Sequence, residues 1–85
     1  MLASHGTTRK ASAPISMGRR IASRRTLLGI AASDLADTAG LSRERLSTIE
    51  NDRAGDIKSG TLVRIAAALG VTETWLLHGD SAEAA

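Results

Sequence analysis

Four polar side chains at helical spacing can make hydrogen bonds to another molecule: Arg43, Glu44, Ser47 and Thr48. With Leu46 and Ile49 turned inward, these four side chains lie on the opposite, exposed side of the helix. An Arg can donate two bonds to guanine O6 and N7, a Glu can accept a bond from cytosine N4, and a Thr methyl can touch the thymine methyl. These residue types therefore predict contacts with base edges in a DNA major groove. Considered without the surrounding pattern, the segment is better explained as a solvated charged face, because charge runs usually have that role.

The residues around this face have the pattern of two short helices joined by a tight turn. The first helix is predicted near residues 32–39, and Gly40 suits a left-handed turn. Ser42 is a good N-cap for the second helix, which is predicted to end at about Asn51. The positions expected to be buried between the two helices are Leu35, Ala36, Leu41, Leu46 and Ile49. This is the layout of a helix-turn-helix, whose second helix can enter a major groove.

The remaining helices have weaker but regular apolar spacing. The first is predicted over residues 17–28, with Met17, Ile21 and Leu28 along one stripe and Gly29 ending it. Another is predicted from Ser59 to about Leu69, and Thr72 suits the N-cap of a last helix over residues 73–78. No segment has a pattern typical of strands. We therefore predict an all-α domain of five helices over residues 17–79, a disordered N-terminal arm over 1–16 and a frayed tail over 80–85. Met17 is an alternative start of the protein.

Composition narrows the class of protein. The chain has 85 residues, no cysteine, and Trp75 as its single aromatic residue, so a disulfide scaffold and a thiolate metal site are excluded. No apolar run approaches the roughly 20 residues that a membrane span needs, and no secretory signal is present, which favours a cytoplasmic protein without membrane partners. Residues 1–16 and 17–53 each carry a net charge of +2, against −2 for residues 54–85. Positive charge thus lies in the same half as the predicted contact face.

Nothing in the chain favours an enzyme. The two histidines are His5, in the predicted arm, and His78, near the C-terminal end. His78, Asp80 and Ser81 are too close in sequence to converge on one reacting atom. The sequence also has no cluster of metal ligands and no phosphate-binding glycine motif. We expect no catalytic residue, no metal and no cofactor.

From Met17 to Gly79 the chain resembles the phage repressor and Cro family of helix-turn-helix proteins, also called the Xre family. The matching residues include Leu35-Ala36, Gly40-Leu41-Ser42 and Ile49-Glu50-Asn51, followed by the Ala68-Leu69-Gly70-Val71 ending of the fourth helix. The resemblance implies a five-helix lambda-repressor-like DNA-binding domain. It also implies a structural ion pair between Arg25 and Glu50. The positions that it assigns to DNA base contacts are Arg43, Glu44 and Thr48, with Ser47 beside them.

Further residues are expected near the DNA backbone. The resemblance places such contacts at the start of the third helix and in the loop after it, which gives Ser42, Asn51, Arg53 and Lys58. Arg45 lies at the side of the helix, where a phosphate or a neighbouring acid is a more suitable partner than a base. Backbone N–H groups at the start of the fourth helix can also bind phosphate.

The chain departs from the family pattern at two places. The second helix often begins with a hydroxyl residue and then Gln, whereas this chain has Ala31 and Ala32, and Ser33 is a partial substitute at best. The helix therefore lacks a cap, which typically costs about 1 kcal/mol. The residue after Asn51 is often Gly but here is Asp52, which tolerates a left-handed conformation but brings negative charge near phosphates.

These observations predict a sequence-specific transcriptional regulator, acting as a homodimeric repressor on double-stranded DNA with a near-palindromic operator. Two alternatives keep the same domain: an antitoxin with a toxin protein as partner, and a restriction-modification controller. A third is a protein-binding adaptor that has lost DNA binding. The sequence does not distinguish these alternatives, nor does it identify the operator, an effector or the sign of regulation.

Overall fold

The computed structural model describes residues 15–79, and within them the chain forms five α-helices and no strand. The helices are α1 (Met17–Leu27), α2 (Ala32–Ala39), α3 (Arg43–Glu50), α4 (Ser59–Leu69) and α5 (Glu73–His78). The predicted all-α fold with five helices is therefore confirmed. The predicted tail, and all of the predicted arm except Ile15 and Ser16, lie outside the described residues.

Short-range capping explains where most helices begin. Side-chain oxygens of Ser16, Ser42 and Thr72 accept hydrogen bonds from backbone N–H groups in the first turns of α1, α3 and α5. By contrast, α2 begins after Ala31 with no side-chain cap, as its sequence predicts, and Ser33 does not replace it. At the turn between α2 and α3, Gly40 has a φ of 72°, a conformation that favours glycine.

The core is aliphatic and draws on all five helices. α2 packs chiefly on α4, while α1 contacts α3, α4 and α5. Trp75 is partly buried beside the core, and Leu41, at the turn, is also only partly buried. The buried apolar residues are Ile21, Leu35, Ala36, Ala39, Leu46, Ile49, Leu62, Ile65, Ala66, Leu69 and Leu76. Burial of this kind, at about 25 cal/mol per Å² of apolar surface, supplies most of the force that holds α3 in place.

Helix α1 approaches the end of α3 very closely. A Cβ atom on Gly18 would lie 2.5 Å from the carbonyl oxygen of Ile49 and 2.7 Å from that of Glu50. These distances are shorter than carbon–oxygen contacts allow, so a glycine is needed at this crossing. The start of α1 and the end of α3 therefore form one packed unit.

The prediction that Leu28 continues the buried stripe of α1 is wrong. The helix ends at Leu27, and the Leu28 side chain is 44% exposed. The chain turns at Gly29, where φ is 71°, so that Ile30 rather than Leu28 packs against the core. Among the described residues, no helix has the length and apolar character required to cross a membrane.

Candidate nucleic-acid interface

Helix α3 presents its polar residues on one exposed side because its apolar residues hold the other side in the core. Leu46 and Ile49 are buried, whereas Arg43, Glu44 and Ser47 are exposed. The hydroxyl of Ser42 accepts the Arg45 N–H at 3.0 Å and so fixes the first turn. The predicted base-contact residues thus lie together on the solvent side of a short, well-anchored helix.

Thr48, the fourth predicted base-contact residue, is partly buried. Its hydroxyl donates to the carbonyl oxygen of Glu44 at 2.9 Å, one helical turn earlier. This bond satisfies the hydroxyl proton inside the helix. What Thr48 can offer to a partner is therefore chiefly its methyl group, whereas Arg43 and Glu44 offer charged groups.

Arg25 and Glu50 meet, as the resemblance implies. Arg25 Nε lies 2.8 Å from Glu50 Oε2 and Arg25 Nη2 lies 3.2 Å from Oε1, so the pair is bidentate. The side chains are only 20% and 13% exposed, and Arg25 Nη1 also donates to the Ile30 carbonyl at 3.0 Å. The hydrogen bond to Glu50 raises the pKa of Arg25, although partial burial opposes this shift. The guanidinium is therefore charged at any pH below that raised pKa.

The loop after α3 carries the other predicted contacts. Arg53 and Lys58 are exposed, and partly buried Ala54 and Ile57 anchor the loop against the core. For Arg45 the sequence predicted either a neighbouring acid or a phosphate as partner. In the structure its Nη2 makes only a long contact of 3.5 Å to the Asp56 carbonyl. All three cations can be approached from solvent.

Asn51, the remaining predicted backbone contact, is engaged within the domain. Its Nδ2 donates to the Ser47 carbonyl at 2.8 Å and lies 3.4 Å from the Ser47 hydroxyl. Phosphate oxygens only accept hydrogen bonds, so Asn51 has less to offer a phosphate than its exposure suggests. It closes the last turn of α3.

Comparisons with known proteins match this arrangement. Residues 18–81 match a family model described as a helix-turn-helix domain. A structure of the P22 c2 repressor in complex with a synthetic operator is 30% identical, with a TM-score of 0.73, over 78% of this chain and 98% of that one. This chain belongs to the helix-turn-helix family of repressor and Cro-type DNA-binding domains.

Two other proteins have structures similar to that of this chain. A DNA complex of SinR, described as the master regulator for biofilm formation, is 32% identical, with a TM-score of 0.66, over 71% of this chain and 95% of that one. A hypothetical transcription factor from Neisseria, NHTF, is 28% identical over 80% of this chain and 77% of that one, with a TM-score of 0.68.

Two arginines of α1, Arg20 and Arg24, bond to backbone carbonyls elsewhere in this helix-turn-helix domain, and the sequence did not indicate these contacts. Arg20 Nε and Nη2 donate to the carbonyls of Leu76 and Leu77, both at 2.8 Å, and its Nη1 donates to the Ile15 carbonyl. Arg24 Nε donates to the Leu69 carbonyl at 3.0 Å. The Leu69, Leu76 and Leu77 carbonyls lie at or near the C-terminal ends of α4 and α5, where intrahelical partners are missing. A charge count alone could not separate such internal arginines from exposed ones.

An open groove of about 390 Å³ lies between the start of α2 and the exposed side of α3. The Cβ of Ala32 borders it, where the family pattern more often has a longer polar side chain. Its other borders are Arg43, Glu44, Leu46, Ser47 and Glu50. The departure at Ala32 therefore leaves space beside the predicted base-contact residues. Residues 15–79 contain no group of three or more His, Asp or Glu side chains that could hold a metal ion.

Proposed function

We propose that this protein is a sequence-specific transcriptional regulator that binds operator DNA through α3 in the major groove. The observation that carries the proposal is the exposed Arg43, Glu44 and Ser47 on a helix whose position is fixed by core packing and by the bond between Arg25 and Glu50. A rigid element that presents a donor fork next to a carboxylate suits a G·C base pair, because guanine O6 and N7 accept while cytosine N4 donates.

The charges next to α3 support DNA as the partner. Arg45, Arg53 and Lys58 are exposed on α3 and the loop after it, where they can approach phosphates on either side of the contacted bases. The relatives described above include two proteins in complex with DNA, one of them a repressor on an operator. A regulator of the same kind is the simplest function for this arrangement.

We further propose that the protein acts as a homodimeric repressor. Two copies related by a two-fold axis would place their α3 helices in successive major grooves, about 34 Å apart, on a near-palindromic site. Occupation of such a site over a promoter blocks polymerase without any further catalytic or sensor domain.

Selection of bound sequences from a random duplex pool tests the base contacts. We expect the wild type to enrich a two-fold symmetric motif, and Arg43→Ala and Glu44→Ala each to lose preference at one base pair of each half-site. Loss of the bidentate Arg43 contact should cost about 1–3 kcal/mol in discrimination. Failure of the wild type to enrich any motif would contradict the proposed function.

Two control variants make the selection specific. Arg64→Ala removes an exposed arginine from α4, which is outside α3 and the loop after it, and should enrich the same motif with the same strength. Lys58→Ala should weaken all sequences alike and reduce the salt dependence of binding, as expected for a phosphate contact. If Arg43→Ala behaves as Lys58→Ala does, Arg43 contacts the backbone and not a base.

A further inference from the structure

Four of the five helices end in the same local structure, in which the chain passes through a left-handed residue. Only at the end of α3 is this residue not a glycine. A left-handed residue lies one or two positions after the last residue of each of these helices, with φ of 71° at Gly29, 72° at Gly40, 69° at Gly70 and 59° at Asp52. At α3 the Asp52 N–H donates to Ile49 and the Arg53 N–H donates to Thr48, which is the Schellman pattern. Asp52 is the one residue other than glycine with a positive φ among those described.

A side chain in this conformation has a cost that glycine avoids. A left-handed backbone brings Cβ close to the following carbonyl, so an aspartate is less favourable here than glycine. The three other helices use glycine and meet no such cost. The Asp52 side chain must therefore make contacts that offset the strain.

Those contacts are with the start of α1. Asp52 Oδ1 accepts the Gly18 N–H at 3.0 Å, and Oδ2 accepts the Ser16 hydroxyl at 2.5 Å. The first turn of α1 contains no acidic residue of its own, so the carboxylate of Asp52 is the anion at the positive end of that helix. Two donors and the helix dipole thus hold a carboxylate that sequence analysis expected to lie unfavourably close to DNA.

We propose that Asp52 is a positioning residue for DNA binding, because it fastens the loop after α3 to the start of α1 and so fixes Arg53 for contact with a phosphate. This inference rests on the proposed function. Arg53 directly follows Asp52, and its own N–H is part of the same helix end, so its backbone position depends on residue 52 keeping this conformation. The carboxylate acts through Arg53 and does not itself touch DNA.

Two substitutions at residue 52 separate the contact from the charge. Asp52→Asn keeps an acceptor for Gly18 and tolerates the left-handed backbone, but removes the negative charge. Asp52→Gly also accepts this backbone, so it should fold, but loses both contacts with α1. We expect Asp52→Asn to bind operator within about twofold of wild type, because one surface charge contributes little.

For Asp52→Gly we expect weaker binding and a smaller salt dependence. Loss of one phosphate contact lowers the salt slope by about 0.9, which corresponds to about fivefold weaker binding at about 0.15 M salt. Amide hydrogen exchange should be faster for residues 53–58 in this variant, while residues in α2 and α4 exchange as in the wild type. Thermal unfolding measured beside these assays shows whether each variant is folded at the assay temperature.

A double-mutant cycle with Arg53→Ala provides the decisive measurement. If Asp52 acts through Arg53, the double variant should bind no more weakly than Arg53→Ala alone. Multiplied losses, or wild-type binding by Asp52→Gly, would overturn the positioning role. A wild type that binds no DNA would instead contradict the proposed function, so the two failures can be distinguished.

Discussion

On the exposed side of α3, part of the hydrogen-bonding capacity is already used within the helix. The Thr48 hydroxyl bonds to the Glu44 carbonyl, and the Asn51 amide bonds to the Ser47 carbonyl. A partner must either break these bonds or use the groups that remain. The remaining groups include the charged ends of Arg43 and Glu44, the Ser47 hydroxyl, the Thr48 methyl, and the oxygens of Thr48 and Asn51 as acceptors.

The methyl group of Thr48 leads to a prediction about thymine. If this methyl touches the thymine C5 methyl, replacing that thymine by deoxyuridine should weaken wild-type binding by about fourfold, the effect of about 0.8 kcal/mol for one buried methyl. Thr48→Val keeps a methyl branch on Cβ and should show the same difference between thymine and deoxyuridine. Binding titrations with the paired operators measure it.

The variant Thr48→Ser provides the matched control for this prediction. It keeps the hydroxyl that bonds to Glu44 but lacks the methyl, so it should bind the thymine and deoxyuridine operators equally. If Thr48→Ser still distinguishes the two operators, the methyl of Thr48 is not the partner of thymine.

For individual residues, the sequence predicted a contact partner only where the family resemblance implied one. Arg25 and Glu50 were expected to pair because the resemblance implied it, and the structure brings them within 2.8 Å. For Asp52 no pattern indicated a partner, since its contacts lie 34 and 36 residues earlier in the chain. The expectation that the Asp52 charge is unfavourable near DNA followed from its position in the sequence alone. The sequence did not show that the α1 dipole and two donors from α1 and its N-cap face this carboxylate.

Among the helices, α1 is bonded to α3, α4 and α5 through its arginine side chains. Arg20, Arg24 and Arg25 each donate to groups at or beyond the end of a different helix, while Gly18 allows the close crossing with α3. Helix ends leave carbonyls without intrahelical partners, and cations near them are favourable. α1 therefore connects three of the other helices, α3, α4 and α5, although none of the predicted base contacts lies on it.

This role predicts different outcomes for two neighbouring arginines. Arg20→Met keeps most of the aliphatic side chain but loses the bonds to Leu76, Leu77 and Ile15, and should lower the free energy of unfolding by about 1–2 kcal/mol. For a domain of this size each kcal/mol corresponds to about 4–8 °C in Tm. Arg19→Met, one residue earlier and exposed, should leave Tm unchanged. Thermal denaturation of the two variants measures the difference.

Operator binding gives the second measurement for the same pair. Because Arg20 contacts helix ends rather than solvent, Arg20→Met should bind operator as the wild type does at a temperature where both are folded. A Tm equal to that of Arg19→Met would contradict the stabilising role of Arg20, and a lower salt slope together with that unchanged Tm would show that Arg20 contacts DNA.

Helix boundaries were predictable for a local reason. The caps Ser42 and Thr72, and the turns at Gly40 and Gly70, act within a few residues, so their signals are complete in short windows of sequence. The packing of one helix on another is not local. This is why the bounds of α2 to α5 were predicted closely, whereas the contacts of Arg20 and Arg24 and the exposure of Leu28 were not.

Over the described part of the molecule, positive charge available to a partner is concentrated on α3 and the loop after it. Residues 15–79 contain nine Lys and Arg residues, and Arg20, Arg24 and Arg25 are engaged in the contacts described above. Of the other six, all exposed, four lie between residues 43 and 58. The sequence located excess positive charge in the first half of the chain, and the contacts of α1 leave most of the available charge on α3 and the loop after it.

The proposal that one copy of this surface covers a single half-site leads to a prediction about operator spacing. If two copies bind as a dimer, the half-sites should be centred about 10–10.5 base pairs apart, one turn of the double helix. Insertion of about five base pairs would rotate the second half-site to the opposite face of the duplex. The affinity should then fall to that of a single half-site, because the two binding events no longer reinforce each other through a high effective concentration.

Gel-shift titrations on operators with zero to six inserted base pairs measure this dependence, and an operator with one scrambled half-site provides the reference value. Equal affinity at every spacing would mean that the copies bind independently, and repression would then need two monomers rather than one symmetric dimer.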